Sequence, residues 1–224
     1  MTKSHNVHLA CGFQRRFDPT YVAVKSAIVS NRIGKPMLAS VIFADHPCPP
    51  IEFLKTGGDI FMDLAPHDVD YVMWCMDDKV KDVYAVGASS TPELQACGVY
   101  DSATVLLRFE GGGVGTLSMS RSAAYGYDQR CEFHGALGSA TVGNERENGA
   151  EVADKEGFHS ARLKYSFPQR FRQGFEMEMD AFADLLREGK KWLVGREECR
   201  EVQRVADAAK KSAKLGRPVL MSEV

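Results

Sequence analysis

The chain has 224 residues, 44% of them hydrophobic and 26% charged, with a formal net charge of -2. That length can bury a sizeable core, long for one domain and short for a two-domain enzyme, so one main domain with a leading fragment is expected. The near-neutral charge leaves no basic footprint for nucleic acid or anionic lipid, and no apolar run approaches the roughly 20 residues a membrane span needs. Small molecules or protein are the expected partners.

Six cysteines are scattered with no C-x-x-C pair, and the first residues lack the charged, apolar and small-residue order of a signal peptide. Reduced thiols in a cytoplasmic protein are the reading.

Residues 7–13 are apolar enough for a short buried strand. Asp18-Pro19 then offers an N-cap followed by a proline in the first turn, which predicts a helix over residues 19 to about 31, stopped by Gly34. Residues 37–44, rich in Val and Ile, predict a strand. Pro47, Pro49 and Pro50 force a loop, and Gly57-Gly58 leads into a helix that carries Asp63 and His67 and ends near Met76.

Beyond that point the period changes to two. Strands are predicted over residues 80–86, 103–109, 114–121, 130–134 and 140–142, joined by glycine-bearing turns at 111–113 and 135–138. This pattern predicts an antiparallel meander with inserted helices. The polar stretch 144–160 is expected to be a long surface loop, and helices are predicted over 170–187 and 196–214, with Gly216 as the final stop. A sheet with helices collected on one face is an α+β arrangement.

The chemistry-bearing stretch is Gly57 to Asp70. If it is helical, Asp63 and His67 share a face, and an imidazole oriented by a carboxylate can take a proton from a substrate hydroxyl. The alternative is a helix-capping Asp63 with His67 in a satisfied core position. Pro66 requires the helix either to begin near it or to bend there. Gly111 to Gly115 precede an alternating, strand-like Thr116 to Ser120, so they predict a hairpin turn and not a phosphate loop; no dinucleotide fingerprint occurs elsewhere. His46 and Cys48 lack the further ligands a zinc ion needs, so no metal is expected. Tyr125 and Tyr127 could present phenols to a polyol or pack a sheet edge.

Three stretches together, Gly12 to Pro19, Gly57 to Asp70 and Tyr125 to Arg130, resemble the Gfo/Idh/MocA oxidoreductases, specifically the inositol 2-dehydrogenase-like members. The resemblance continues through Glu132-Phe133-His134-Gly135 and from Arg170-Phe171 to Gly216. It implies a C-terminal α+β domain with a large open, mostly antiparallel sheet, normally joined to an N-terminal Rossmann domain that binds NAD or NADP. Residues 1–18 would then be a remnant of the last Rossmann strand and linker, and 19–224 the substrate-binding and oligomerisation domain. The family's Glu-Lys-Pro lysine has no counterpart here.

By the same resemblance, His67 and Asp63 are the catalytic pair: His67 accepts the alcohol proton and Asp63 orients the ring hydroxyls. Tyr125, Tyr127 and His46 stand near the substrate, and Phe175 replaces a tyrosine of some relatives. The expected function is the substrate side of an NAD(P)-dependent dehydrogenase of a cyclitol or sugar, inactive as an isolated chain. A separate Rossmann domain, a homo-oligomer formed through the open sheet, and a non-catalytic polyol-binding or regulatory module are the accompanying expectations.

Overall fold

The computed structural model describes residues 8–224. The first short 3-10 turn, Gln14–Arg16, leads into helix α1 (Pro19–Val29), whose N-terminus is capped as the sequence predicts: the Asp18 carboxylate accepts from Thr20 N at 3.0 Å and Tyr21 N at 3.3 Å. Strand β1 (Pro36–Ala44) follows, then α2 (Ile51–Thr56), α3 (Ile60–Asp63), α4 (Ala65–Met76) and β2 (Val80–Ala88). After α5 (Pro92–Ala96) come β3 (Ser102–Phe109), β4 (Val114–Ser120), β5 (Asp128–Gly135) and β6 (Gly138–Val142). The chain closes with a small hairpin of β7 (Glu151–Asp154) and β8 (Gly157–Ser160), helices α6 (Phe167–Arg170), α7 (Arg172–Glu188) and α8 (Arg196–Leu215), and the short β9 (Val219–Leu220).

The main sheet has seven strands in the order β6-β5-β1-β4-β3-β2-β9. Its register puts one apolar row across the sheet, Val83 beside Leu107, Gly115, Ala39 and Phe133, and a second through Ala85, Val105, Leu117, Val41 and Cys131. All of these side chains are buried because α4 and α8 cover that face. Gly115 lets α4 lie close: a Cβ there would stand 3.3 Å from a Val72 methyl. On α8, Ala206, Ala208 and Ala209 are buried, and Ser212 accepts from Ala85 N at 2.9 Å while donating to Arg217 O at 2.7 Å. Gly216 ends α8 with φ 66°, as expected for a left-handed stop.

The α+β class stands, with four changes of detail. Residues 8–13 carry no strand, and Leu9 is exposed; a strand needs a ladder, and no described strand lies beside it (Val7 is outside the described residues). The sheet is not a pure meander, since β1 pairs parallel to β4; an alternating pattern specifies which face is buried but not which neighbour is hydrogen-bonded. The polar stretch 144–160 contains the β7–β8 hairpin. The helix through Asp63 and His67 is broken at Leu64, and Pro66 falls in the first turn of α4, where its missing N–H costs no hydrogen bond.

Among the described residues no helix is long and apolar enough to cross a membrane. All six cysteines are free.

The leading segment is tied into the core by charge. Arg16, 3% exposed, grips Asp70 of α4 through Nε at 3.0 Å and Nη2 at 2.7 Å, and also donates to Leu193 O and Glu198. Removing one partner of a buried pair strands the other charge. Arg16→Met should therefore lose about 3–5 kcal/mol in urea denaturation, whereas Arg16→Met combined with Asp70→Leu should recover most of that loss.

Candidate functional site

Where β1 ends, the chain opens a cleft of about 590 Å³ between α3–α4, the leading segment and α7. Its lining includes Gly12, Gln14, Asp45, Phe53, Asp63, His67, Tyr127, Phe175 and Glu178. A mostly apolar cavity with a few convergent polar groups is the usual form of a small-molecule site.

Asp63 and His67 both face this cleft, but they do not sit on one continuous helix. Asp59 caps α3 by accepting from Phe61 N at 2.9 Å, α3 lasts one turn, and α4 restarts after Leu64 with His67 N donating to Leu64 O at 3.2 Å. Asp63 is bound to Arg121, whose Nη2 donates to Oδ2 at 2.6 Å. The spacing suggests a carboxylate–imidazole hydrogen bond, but the Asp63 carboxylate turns to Arg121 instead.

The imidazole packs edge-on against Phe13, with ring centroids 6.2 Å apart, and its Nδ1 is buried without a hydrogen-bond partner among the described residues. Burial foremost, and then the Arg15 cation, push the His67 pKa down to about 4; Asp63 opposes them only in part. His67 is therefore neutral at pH 7. Behind it, Arg15 pairs with Asp68 at 2.6 Å and donates to Gln129 Oε1 at 2.5 Å, all three being fully enclosed. Burial raises the Asp68 pKa to about 6 against the pull of Arg15.

Of the other expected site residues, Tyr127 reaches the cleft: it is buried, with its ring edge-on to Phe43 at 5.7 Å. Tyr125 does not reach it. Its ring is 61% exposed and its hydroxyl donates to Asp128 at 2.6 Å, because Gly126, at φ 119°, turns the two tyrosines apart. His46 stands at the rim with its ring against Tyr165, centroids 5.0 Å apart, while its neighbours Asp45 and Pro47 line the cleft. Phe175 contributes an apolar wall.

Three residues were not anticipated. Asp45 enters the cleft at the end of β1, and burial foremost raises its pKa while Arg121 opposes the rise. Glu178, whose pKa burial also raises, lies three positions after Phe175 and so on the same helical face, a signal the spacing did contain. Its carboxylate occupies the space a Cβ on Gly12 would need, so a side chain at that position would push the Glu178 carboxylate aside. Arg121 lies behind the cleft, and only the tertiary structure reveals its partners.

The described residues offer no cradle for a dinucleotide pyrophosphate. Residues 111–113 close the β3–β4 hairpin, and no helix follows them. Among the described residues no group of three or more His, Cys, Asp or Glu is placed to hold a metal.

Residues 21–141 match the model of the GFO/IDH/MocA C-terminal domain. Over 224 residues the chain is 34% identical to the myo-inositol 2-dehydrogenase of Thermotoga maritima, covering all of this chain and 67% of that protein. It is 32% identical over 218 residues to the scyllo-inositol 2-dehydrogenase (NAD(+)) of Bacillus subtilis, covering 97% of this chain and 64% of the relative. Its fold superposes on the crystal structure of a myo-inositol dehydrogenase from Corynebacterium glutamicum with a TM-score of 0.88 at 28% identity, covering 93% of this chain and 63% of that one. The chain spans about half to two thirds of the length of the curated relatives it matches. It belongs to the GFO/IDH/MocA family, and its sheet and covering helices are that family's C-terminal domain.

Proposed function

We propose that this chain forms the substrate side of a dehydrogenase site that oxidises a secondary alcohol of a cyclitol or sugar, with His67 accepting the hydroxyl proton and Asp63 orienting the ring hydroxyls. The observation that carries this reading is geometric: the His67 imidazole and the Asp63 carboxylate, held by Arg121, face one cleft with apolar walls. Oxidising an alcohol releases one proton from its oxygen, and an imidazole uncharged at pH 7 can receive it. The names of the relatives, inositol dehydrogenases, support the substrate class.

A nicotinamide dinucleotide, NAD or NADP, would supply the hydride acceptor, and the described residues do not fit its pyrophosphate. The role assigned to this chain is binding, orientation and proton transfer. Asp63, Asp45, His67 and Glu178 supply polar contacts, and Phe175, Phe53 and Tyr127 supply apolar walls. The free cysteines fit a cytoplasmic setting.

Isothermal titration of the chain with myo-inositol, scyllo-inositol and glucose tests the reading. At least one polyol should bind, Asp63→Asn and His67→Asn should each weaken it about tenfold, the loss of roughly one hydrogen bond to a polar group, and no NADH should form when NAD is added. Absence of heat with every polyol would overturn the reading.

The histidine also makes a pH prediction. Its folded pKa, about 4, lies below the free value of 6.5, so the unfolded chain protonates first and stability falls as pH drops through that window. Asp68, raised to about 6, opposes this trend over its own range below that value. The difference in unfolding free energy between the parent chain and His67→Asn isolates the histidine, and it should fall by up to about 1.4 kcal/mol per pH unit between pH 6.5 and 4.

We also propose that the uncovered face of the sheet associates with a second copy of the chain. That face carries Val86, Thr104, Ser118 and Ile42 in one row and Tyr84, Leu106, Thr116 and Ser40 in the next. Among the described residues helices cover the opposite face, and Tyr84 and Val86 are left exposed, which favours a partner over water. Light scattering should give at least a dimer mass, and Val86→Glu with Ile42→Glu should reduce it to the monomer.

A further inference from the structure

We propose that Arg121 is a positioning residue of the cleft, a buried clamp that fixes the carboxylates of Asp63 and Asp45 and the Gly58 turn in the arrangement the substrate meets. The proposal rests on the reading of Asp63 and His67 as the substrate-facing pair.

The side chain of Arg121, which follows β4, is 1% exposed and does not itself line the cleft. It reaches two carboxylates of the wall and the backbone of the Gly58 turn behind it. Nη2 donates to Asp63 Oδ2 at 2.6 Å and to Gly58 O at 2.7 Å, and Nη1 donates to Asp45 Oδ2 at 3.3 Å. The guanidinium lies 5.9 Å from the centre of the Phe53 ring, and its own backbone N is anchored to Asp101 O at 2.7 Å. A planar fork can serve these acceptors at once, whereas an ammonium is a single point charge on a flexible stem.

Removing the fork leaves two carboxylates facing one cleft without a cation and leaves the Gly58 carbonyl without its donor. Asp63 would then be free to turn toward His67, four residues on. The charged and titratable groups around His67 are Arg15 from the leading turn, Asp63 from α3, Asp45 from the end of β1, Tyr127 beside β5 and Glu178 from α7. Arg121 pairs with Asp63, the carboxylate among these whose charge acts on the imidazole, so its loss should make the imidazole easier to protonate.

The test follows the His67 imidazole by NMR in the ligand-free full chain, with its signal assigned by its absence in His67→Asn. Arg121→Met should raise the His67 midpoint by at least one pH unit. Arg121→Lys, which keeps the charge and loses the fork, should raise it by less than half as much. In an Asp63→Asn background Arg121→Met should move it by less than 0.3 unit, because the effect runs through Asp63.

A merely structural arginine would give the same shift with or without Asp63, and either that result or an unmoved midpoint in Arg121→Met overturns the proposal. If Arg121→Met does not fold, Arg121→Lys compared in the two backgrounds decides: a shift seen only with Asp63 present supports the clamp, and any other pattern overturns it. Polyol titration of the same samples separates the two readings. A midpoint shift in a chain that binds no polyol retains the clamp and rejects the substrate assignment, and polyol binding with no shift does the reverse.

Discussion

The site depends on two adjacent buried ion pairs that fasten the leading turn to α4. Arg15 meets Asp68 and Arg16 meets Asp70, so two consecutive cations on one segment hold two carboxylates two positions apart on the helix that also carries His67. A charge removed from water is tolerated only when a partner stands close to it, so each pair ties the turn to the helix. Burial foremost, and then the same arginine that anchors Asp68, holds the His67 pKa down, so the leading turn adds to the effect of the core on the histidine.

The sheet serves as the platform for this arrangement. Its buried rows press against α4 and α8, and the close approach at Gly115 lets the covering helix lie near the strands. Because β1 sits between β4 and β5, the residue just after it, Asp45, lies beside the end of β4, its N donating to Ser120 O at 2.8 Å. That adjacency lets Arg121, just past β4, reach Asp45 and, across the cleft wall, Asp63. A pure meander would have left β1 at an edge and separated these groups.

Much of the local structure was legible in the residues. Asp18-Pro19 predicted both the start of α1 and its cap, Gly216 predicted the end of α8, and the glycines at 111–113 predicted a hairpin. Pro66 stated its own alternatives, and the break at Leu64 is one of them. The segment 8–13 misled because apolar composition records a tendency to be buried, while a strand also needs a partner for its backbone. Tyr125 was expected near the substrate by resemblance alone, and the positive φ of Gly126, which turns it away from Tyr127, is a backbone feature that the residue pattern does not specify.

The sequence by itself determined the fold class, most element boundaries and the presence of Asp63 and His67 near an irregular helix start, since these follow from periodicity, caps and proline chemistry over short spans of chain. Only the tertiary structure decided that Asp63 is held by Arg121, that Arg15 stands behind His67, and that Asp45 and Glu178 complete the cleft. The physical reason is distance along the chain. Arg121 lies 58 residues from Asp63 and 76 from Asp45, and Coulomb and hydrogen-bonding forces act between whichever groups the sheet order brings within a few ångströms.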